Sequence, residues 1–386
     1  MTTLLLIIIY IAFISLGLPD SMLGAAWPTI RVNLSLPIAG AGLISMIISG
    51  GTIVSSILGG RLINKLGTAK LTLSSVCITA FALLGFSLSN NYLWLCIMAI
   101  PMGLGAGAVD AALNNFVALH FKARHMSWLH CFWGIGATAG PVIMSLAISK
   151  SGAWQNGYLT VAIIQICLVI ILLISLPLWK LQGETEQKNI EQEDEKDSLT
   201  KLPGIFPAFF GFFFYCALES TAGLWGASYL LLTKGVSAEI AAGWISLYYF
   251  GITIGRFFNG FFTAKFSNTA LIRCGQLMIG IGAILLIFFS QSYIYLFGLI
   301  LIGLGCAPIY PSMLHETPVR FGKHNSGKLM GMQMAFAYTG ATFVPPVLGL
   351  IMGKSGMQFY PLFVLLLLIA MGLSSERTNR MVRKKY

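Results

Sequence analysis

Apolar runs of about 20 residues recur along the whole 386-residue chain, and that recurrence leaves few folds open. A hydrocarbon layer of ~30 Å is crossed by ~20 helical residues. We count twelve runs: residues 3–26, 38–60, 70–89, 92–121, 126–149, 156–180, 204–233, 239–264, 269–289, 291–316, 326–352 and 358–376. Backbone groups in lipid must pair internally, which restricts such runs to helices or closed barrel strands. These are too long and too uniformly apolar for barrel strands. Charged residues make up 10% of the chain and the mean hydropathy is +0.81, a balance foreign to soluble domains. The expected fold class is an all-α membrane protein with twelve transmembrane helices.

The net charge of +11 could suggest a nucleic-acid partner, but its distribution points elsewhere. Counting loops from an inside N-terminus, 19 of the 24 Lys and Arg residues fall on the inner side, in the loops, the central linker and the C-terminal tail. Four (Arg31, Lys150, Lys234 and Lys354) fall on the outer side, and Arg256 is intramembrane. By the positive-inside rule both termini are cytoplasmic in a multi-pass cell-membrane protein, and no nucleic-acid partner is expected. The first 30 residues hold no Lys or Arg, so the first run reads as a retained helix and not as a secretory signal. The seven cysteines, scattered through apolar runs without metal-ligand or redox spacing, read as small buried hydrophobes. Trp27, Trp94, Trp154 and Trp179 fall at run ends and fit an interfacial belt, with helix 1 expected to end near Trp27-Pro28.

The chain repeats itself. Gly60 and Lys65 recur as Gly260 and Lys265, and Gly103-x-Gly105 as Gly303-x-Gly305, both shifted by 200 residues. After the fourth inner loop the shift becomes 204: Gly136-Ala137-Thr138 matches Gly340-Ala341-Thr342, and Lys150-Ser151-Gly152 matches Lys354-Ser355-Gly356. A duplicated unit of six helices, an even number, inserts both copies in the same orientation, a parallel repeat of the kind secondary transporters use. The expected layout is an N-terminal six-helix bundle over 1–181, a solvated cytoplasmic linker over 182–203, a C-terminal bundle over 204–376 and a basic cytoplasmic tail over 377–386.

Several ionisable groups sit inside the runs. Asp110 is the one charged residue between Tyr92 and Phe121. A carboxylate near the bilayer centre costs at least ~2.5–3.5 kcal/mol, so it is rarely accidental. Asn114 shares its helical face, as do Gly103 and Gly107, whose small size lets a neighbouring helix approach. The stretch is therefore either a packing seam with one polar residue or the wall of a polar cavity. Asp20 follows Pro19 eight residues before Pro28, so ~12 Å below the expected outer end. It either caps a break at Gly17 and Pro19 or lines the same cavity. Glu219 lies near the middle of the seventh run, on one face with Tyr215 and Gly223. Arg256, nine residues before Lys265, either snorkels to the inner surface or pairs with a carboxylate or a substrate oxygen. His120, His125 and His324 read as surface residues; His130 and, more weakly, His315 are candidates to line a pathway. Trp133 and Trp225 lie deeper than the belt. Flat aromatic faces beside amides and carboxylates suit a polyhydroxylated ligand with apolar C–H faces and a hydroxyl rim.

The inner-loop pattern Gly60-Arg61-Leu62-x-Asn64-Lys65-x-Gly67, within two six-helix halves, resembles the major facilitator superfamily over the whole chain. The family's acidic loop position holds Asn64 here and a following basic position holds Thr68, so a charge relay in this gating loop is weakened or replaced by hydrogen bonds. Gly17-Leu18-Pro19-Asp20, Gly105-Ala106-Gly107-x-x-Asp110-x-x-x-Asn114 and Leu129-His130-x-x-Trp133-Gly134-x-Gly136-Ala137 resemble the fucose–proton symporter branch, which includes sugar permeases. That resemblance implies acids in helices 1 and 4 for substrate and proton coupling, places held by Asp20 and Asp110.

The expected function is proton-coupled symport of a monosaccharide-like sugar by alternating access. Asp20, Asp110 and Glu219 would couple the proton, and Asn114, His130, Trp133, Trp225, Tyr229, Arg256 and Gln333 would contact substrate. A proton-driven exporter of drug-like or metabolite cargo and a sodium-coupled sugar importer share the fold and stay open. No Ser/His/Asp constellation, H-E-x-x-H run or phosphate-binding glycine loop points to an enzyme, a metal or an organic cofactor. Two halves complete a pathway, so a monomer is expected.

Overall fold

The computed structural model of the chain describes residues 2–121, 123–181, 202–263, 265–289, 291–322 and 326–383. The described residues form helices. The first span is broken into α1 (Thr2–Asp20) and α2 (Met22–Asn33), and α3 (Gly40–Ser87) supplies the second and third spans. There follow α4 (Tyr92–His120), α5 (Ala123–Ser151), α6 (Trp154–Leu181), α7 (Ile205–Lys234), α8 (Ala238–Phe262), α9 (Asn268–Phe288), α10 (Ser292–Phe321), α11 (Ser326–Ser355) and α12 (Tyr360–Arg383). Eleven of these stretches are long and apolar enough to cross a membrane. The twelfth crossing is α8, which carries Arg256 and Asn259. Side chains such as Ile57, Ile174 and Phe288 are 75% exposed, which water would penalise and lipid does not. The protein is an all-α, multi-pass membrane protein of about twelve spans.

Three local expectations change. The first span does not stop at Trp27-Pro28 but runs on to Asn33, because a proline inside a membrane helix removes one backbone donor without ending it. Asp20 therefore lies ~20 Å from the far end, nearer mid-span than the sequence implies. Trp27, Trp154 and Trp179 are fully buried within the protein, and the Trp27 indole donates to the Ile38 carbonyl at 2.8 Å, so they fill helix contacts and form no lipid-facing belt. Of the cysteines Cys306 is buried, whereas Cys77, Cys167 and Cys274 lie on the outer surface. Hydropathy cannot separate a lipid-facing thiol from a core one.

The turn joining the second and third spans is reduced to Gly67, whose φ of 75° and ψ of 161° reverse the chain between two helical stretches. That left-handed φ favours glycine. Arg61 and Lys65 are exposed beside it, and Leu62 and Ile63 pack on Leu71, Ala108 and Ala112. Gly60 and Asn64 are described as backbone alone. The expected linker lies outside the described residues over 182–201. Residues 377–383 of the expected tail belong to α12, and 384–386 are not described.

The duplication seen in the sequence is built into the packing. A Cβ on Gly103 would strike the Ile48 carbonyl, and one on Gly303 the Tyr248 carbonyl; Gly105 likewise faces the Ser75 carbonyl and Gly305 that of Gly275. Each partner stands 200 residues from its counterpart. At larger scale α5 packs on α1 as α11 packs on α7, and α4 on α3 as α10 on α8 and α9. The halves meet along α5 with α8, α3 with α11, and α2 with α7. Gly24 abuts Gly223, Gly42 abuts Pro346, Gly134 abuts Thr253, and the Ser145 hydroxyl donates to the Glu239 carbonyl at 2.7 Å. These contacts lie at mid-depth and towards the side away from the chain termini.

Gly103→Ala and Gly303→Ala each drive a methyl into a backbone carbonyl, so each is expected to cost about 1–3 kcal/mol. The melting temperature of the purified, detergent-solubilised protein reads this cost. Gly331→Ala on α11, with open space around it, is expected to leave the melting temperature unchanged or raise it. Equal behaviour of all three variants would contradict the close approach.

Candidate functional site

Between the two halves lies a cavity of about 430 Å³, within the ~300–1,000 Å³ range of small-molecule sites. Asp20, Asp110, His130 and Trp133 reach it from the first half, and Glu219 and Arg256 from the second.

Glycines set this geometry. Gly17 faces the Trp133 carbonyl and Gly136 faces the Ile14 carbonyl, which lets α1 and α5 nearly touch. The Trp133 indole then donates to Asp20 Oδ2 at 2.8 Å. The helix breaks directly after that carboxylate, between Asp20 and Met22, so the Asp20 side chain projects from the end of a helical segment into the cavity. Of the two sequence readings, the cavity wall matches this placement; a cap on a break at Gly17 and Pro19 does not, because α1 stays helical through both and the Asp20 carboxylate accepts from Trp133. On α4, Gly103 and Gly107 seat the helix against Ile48 and Thr52 of α3, and Thr52 and Ser56 hydroxyls donate to the Gly103 and Gly107 carbonyls. Asp110, on the same helix, reaches the cavity. Asn114 does not line the cavity; its amide donates to Asp110 Oδ1 at 2.9 Å and to the Asp110 carbonyl at 3.0 Å.

In the second half Glu219 and Arg256 form an ion pair at 3.2 Å. Arg256 thus pairs and does not snorkel. Its guanidinium also lies 5.0 Å from the centre of the Trp133 ring, within cation–π range. The Tyr248 hydroxyl donates to the Glu219 carbonyl at 3.0 Å and that of Tyr215 to the Cys306 carbonyl at 2.9 Å, which ties α7 to α8 and α10. His130 packs edge-on against Phe13.

Trp225, Tyr229 and Gln333 lie away from the cavity lining. The Trp225 indole donates to the Pro345 carbonyl, and the Tyr229 hydroxyl to that of Leu286. Gln333 is buried and accepts from the Thr317 hydroxyl at 2.9 Å, beside a separate void of about 10 Å³. Among the histidines, His125 contacts the Tyr10 hydroxyl at 3.1 Å and His315 meets Asn268 at 3.1 Å, both outside the cavity. His324 lies outside the described residues. Tyr249, Tyr310 and Tyr338 line the cavity and were not among the expected site residues. Tyr249 stands seven residues before Arg256, close to one face, so helical spacing carried a signal for it.

A sequence profile described as Major Facilitator Superfamily matches residues 9–245 and again 208–375. The chain belongs to this superfamily. It is a secondary transporter by family. Curated relatives include "Bypass of stop codon protein 6" of Saccharomyces cerevisiae, 25% identical over 91% of this chain and 78% of that protein. The "Hexuronate transporter" of Bacillus subtilis is 25% identical over 91% of this chain and 88% of that protein, and the "Glucose/mannose transporter GlcP" of the same organism is 26% identical over 62% and 61%. Among solved structures, the nucleoside transporter NupG superposes with a TM-score of 0.77 at 14% identity, covering 97% of this chain and 98% of that one. A bacterial homolog of the lysosomal transporter Spinster, inward-facing and unoccupied, gives 0.73 at 12% identity, covering 99% and 97%. At these identities the structural likeness speaks for the fold.

Glu219→Gln leaves Arg256 without its counter-charge. Because the two side chains keep 22% and 18% exposure, the expected loss is about 1–2 kcal/mol, below the ~3–5 kcal/mol of a fully sealed pair. Adding Arg256→Gln is expected to recover part of it. Melting temperatures of the two single variants and the double variant test this; strictly additive losses would show the pair to be uncoupled.

Proposed function

We propose that the protein is a proton-coupled symporter of a neutral, sugar-like solute, working by alternating access between its two six-helix halves. The observation that carries the reading is the convergence of Asp20, Asp110 and Glu219, from both halves, on one water-accessible cavity deep in the membrane span. A charge held on Asp20 or Asp110, whose partners are neutral, pays a desolvation cost that protonation removes. A carrier whose acids are neutralised together with solute binding can cross, loaded, through an occluded conformation that charged acids would oppose. A ligand moves such an equilibrium only as far as it prefers one state.

The walls favour a polyhydroxylated solute. Trp133, Tyr249, Tyr310 and Tyr338 offer aromatic faces, while Ser49, Thr52 and the carboxylates offer hydrogen-bonding partners. Arg256 is engaged with Glu219, which favours a neutral sugar over a sugar acid. His130, Trp133 and Arg256 are the substrate contacts in this reading. Asn114 acts through Asp110, and Trp225, Tyr229 and Gln333 act by packing. The "Glucose/mannose transporter GlcP" and "Hexuronate transporter" among the relatives, and the resemblance to the fucose–proton symporter branch, support a sugar. The charge bias supports cytoplasmic termini, which makes the sealed side of the halves extracellular and this conformation inward-facing. Gly60, Arg61, Asn64, Lys65 and Gly67 then form a cytoplasmic gating turn against α4. The membrane potential adds about 2.3 kcal/mol per charge per 100 mV to the drive. The carrier is complete as a monomer in the cell membrane.

A panel of neutral monosaccharides, screened by thermal shift at two pH values, identifies the solute for proteoliposome assays. With an inward proton gradient the wild type is expected to concentrate it. Asp110→Asn is expected to lose concentrative uptake at least ~10-fold while retaining solute exchange, a loss typical of removing a coupling group and not a binding one. Concentrative uptake by Asp110→Asn equal to wild type would remove Asp110 from the coupling role.

A further inference from the structure

Two of the acids that line the cavity, one from each half, are joined by side-chain contacts. Asp20 of α1 holds the indole N–H of Trp133 at 2.8 Å, and Glu219 of α7 holds the guanidinium of Arg256 at 3.2 Å. The guanidinium lies over the indole ring at 5.0 Å. Four side chains thus form a continuous chain of contacts from a carboxylate of one half to a carboxylate of the other. The halves are in close contact beside these groups. Gly134, the residue after Trp133, abuts Thr253, three residues before Arg256, and the hydroxyls of Thr138 and Thr253 stand 3.3 Å apart. The close seating of the Thr253 side chain on Gly134 fixes where Trp133 and Arg256 meet.

The geometry points to Trp133 and Arg256 as positioning residues that link Asp20 to Glu219 across the two halves, so that the proton occupancy of either acid is felt by the other. This deepens the proton-coupled reading and rests on it for its role in transport. The physical reason is orientational. An ionised Asp20 fixes the indole by a charge-assisted hydrogen bond. An ionised Glu219 fixes the planar guanidinium over the face of that indole. Each carboxylate holds one half of the stacked pair in the pose the other half needs. Neutralising either acid releases one partner and weakens the stack, which in turn alters the surroundings of the remaining acid. Such a contact is a physical element that both sites bias, which is what coupling between them requires. It also explains why the guanidinium is an arginine: a lysine ammonium lacks the planar fork that binds a carboxylate and stacks on an indole at once.

Other titratable groups face the same cavity: Asp110 of α4, His130 of α5, Tyr158 of α6, Cys216 of α7, Tyr249 of α8, Tyr310 of α10 and Tyr338 of α11. A test must separate the link from their general electrostatic influence. Infrared titration of the purified protein in liposomes, with no solute added, follows protonated carboxyl groups directly. The component lost in Asp20→Asn identifies Asp20. Glu219→Gln is expected to change the proton affinity of that component at least ~5-fold, the lower end of measured couplings between sites. In a Trp133→Phe background, which keeps the ring but removes the N–H, and in an Arg256→Lys background, which keeps the charge but removes the planar stack, the same Glu219→Gln change is expected to fall below half of that size. Trp133→Leu serves as a third background, and size-exclusion profiles show which variants are folded. An Asp20 component indifferent to Glu219 overturns the proposal. So does a shift that persists at full size in both the Trp133→Phe and Arg256→Lys backgrounds, since that is electrostatics through space. Because the titration needs no solute, a protein that moves no sugar can still display the link, and a sugar symporter can lack it.

Discussion

An ionisable side chain in hydrocarbon must be answered, by a partner, by water or by a proton. This constraint organises the protein. Its mid-span carboxylates gather in one cavity between two lobes, each with a polar partner: Asp20 with Trp133, Asp110 with Asn114, Glu219 with Arg256. None of these pairs is sealed away from the cavity, whose lining includes Asp20, Asp110, Glu219 and Arg256. A packing role alone would favour closed contacts, because replacing a buried polar pair by apolar residues is often neutral or stabilising. Keeping these groups partnered yet open to water suits a machine that changes their charge.

What holds the acids in register is a set of helix contacts with no side chain between the backbones. Gly17, Gly103 and Gly136 in the first half, and Gly303 and Gly340 in the second, stand against main-chain carbonyls of neighbouring helices. Lipid provides no hydrophobic drive for helix association, so close van der Waals contact of this kind carries much of it. The repeat ensures that both lobes are built by the same contacts, and the seam between them is then two like surfaces meeting along α5 with α8 and α3 with α11.

The sequence carried the fold far more clearly than the site. Run lengths and an offset of 200 residues, 204 after the fourth inner loop, announce twelve spans in two copies, because both are imposed by bilayer thickness and by duplication, which act along the whole chain. The intramembrane acids were legible for a related reason: a lone charge in an apolar run has few explanations. Which aromatic or amide groups accompany them was not. Trp225 lies six residues from Glu219, about a third of a turn away around α7, so it faces α11 and not the cavity. Tyr249 is close to one face with Arg256 and lines the cavity, while Tyr248 beside it places its hydroxyl on the Glu219 carbonyl. Helical periodicity says which residues share a face; it does not say which face looks inward. The tryptophans at run ends misled for the same reason, since Trp27, Trp154 and Trp179 fill contacts between helices.

In the proposed cycle protons travel with solute through the cavity that Asp20, Asp110 and Glu219 line. The direct measurement is external pH in a weakly buffered suspension of proteoliposomes, prepared without any ion gradient, when a solute identified by binding is added outside. The account predicts that solute entering down its own gradient draws protons in and turns the medium alkaline. Solute entry at constant external pH, or with acidification of the medium, would contradict it.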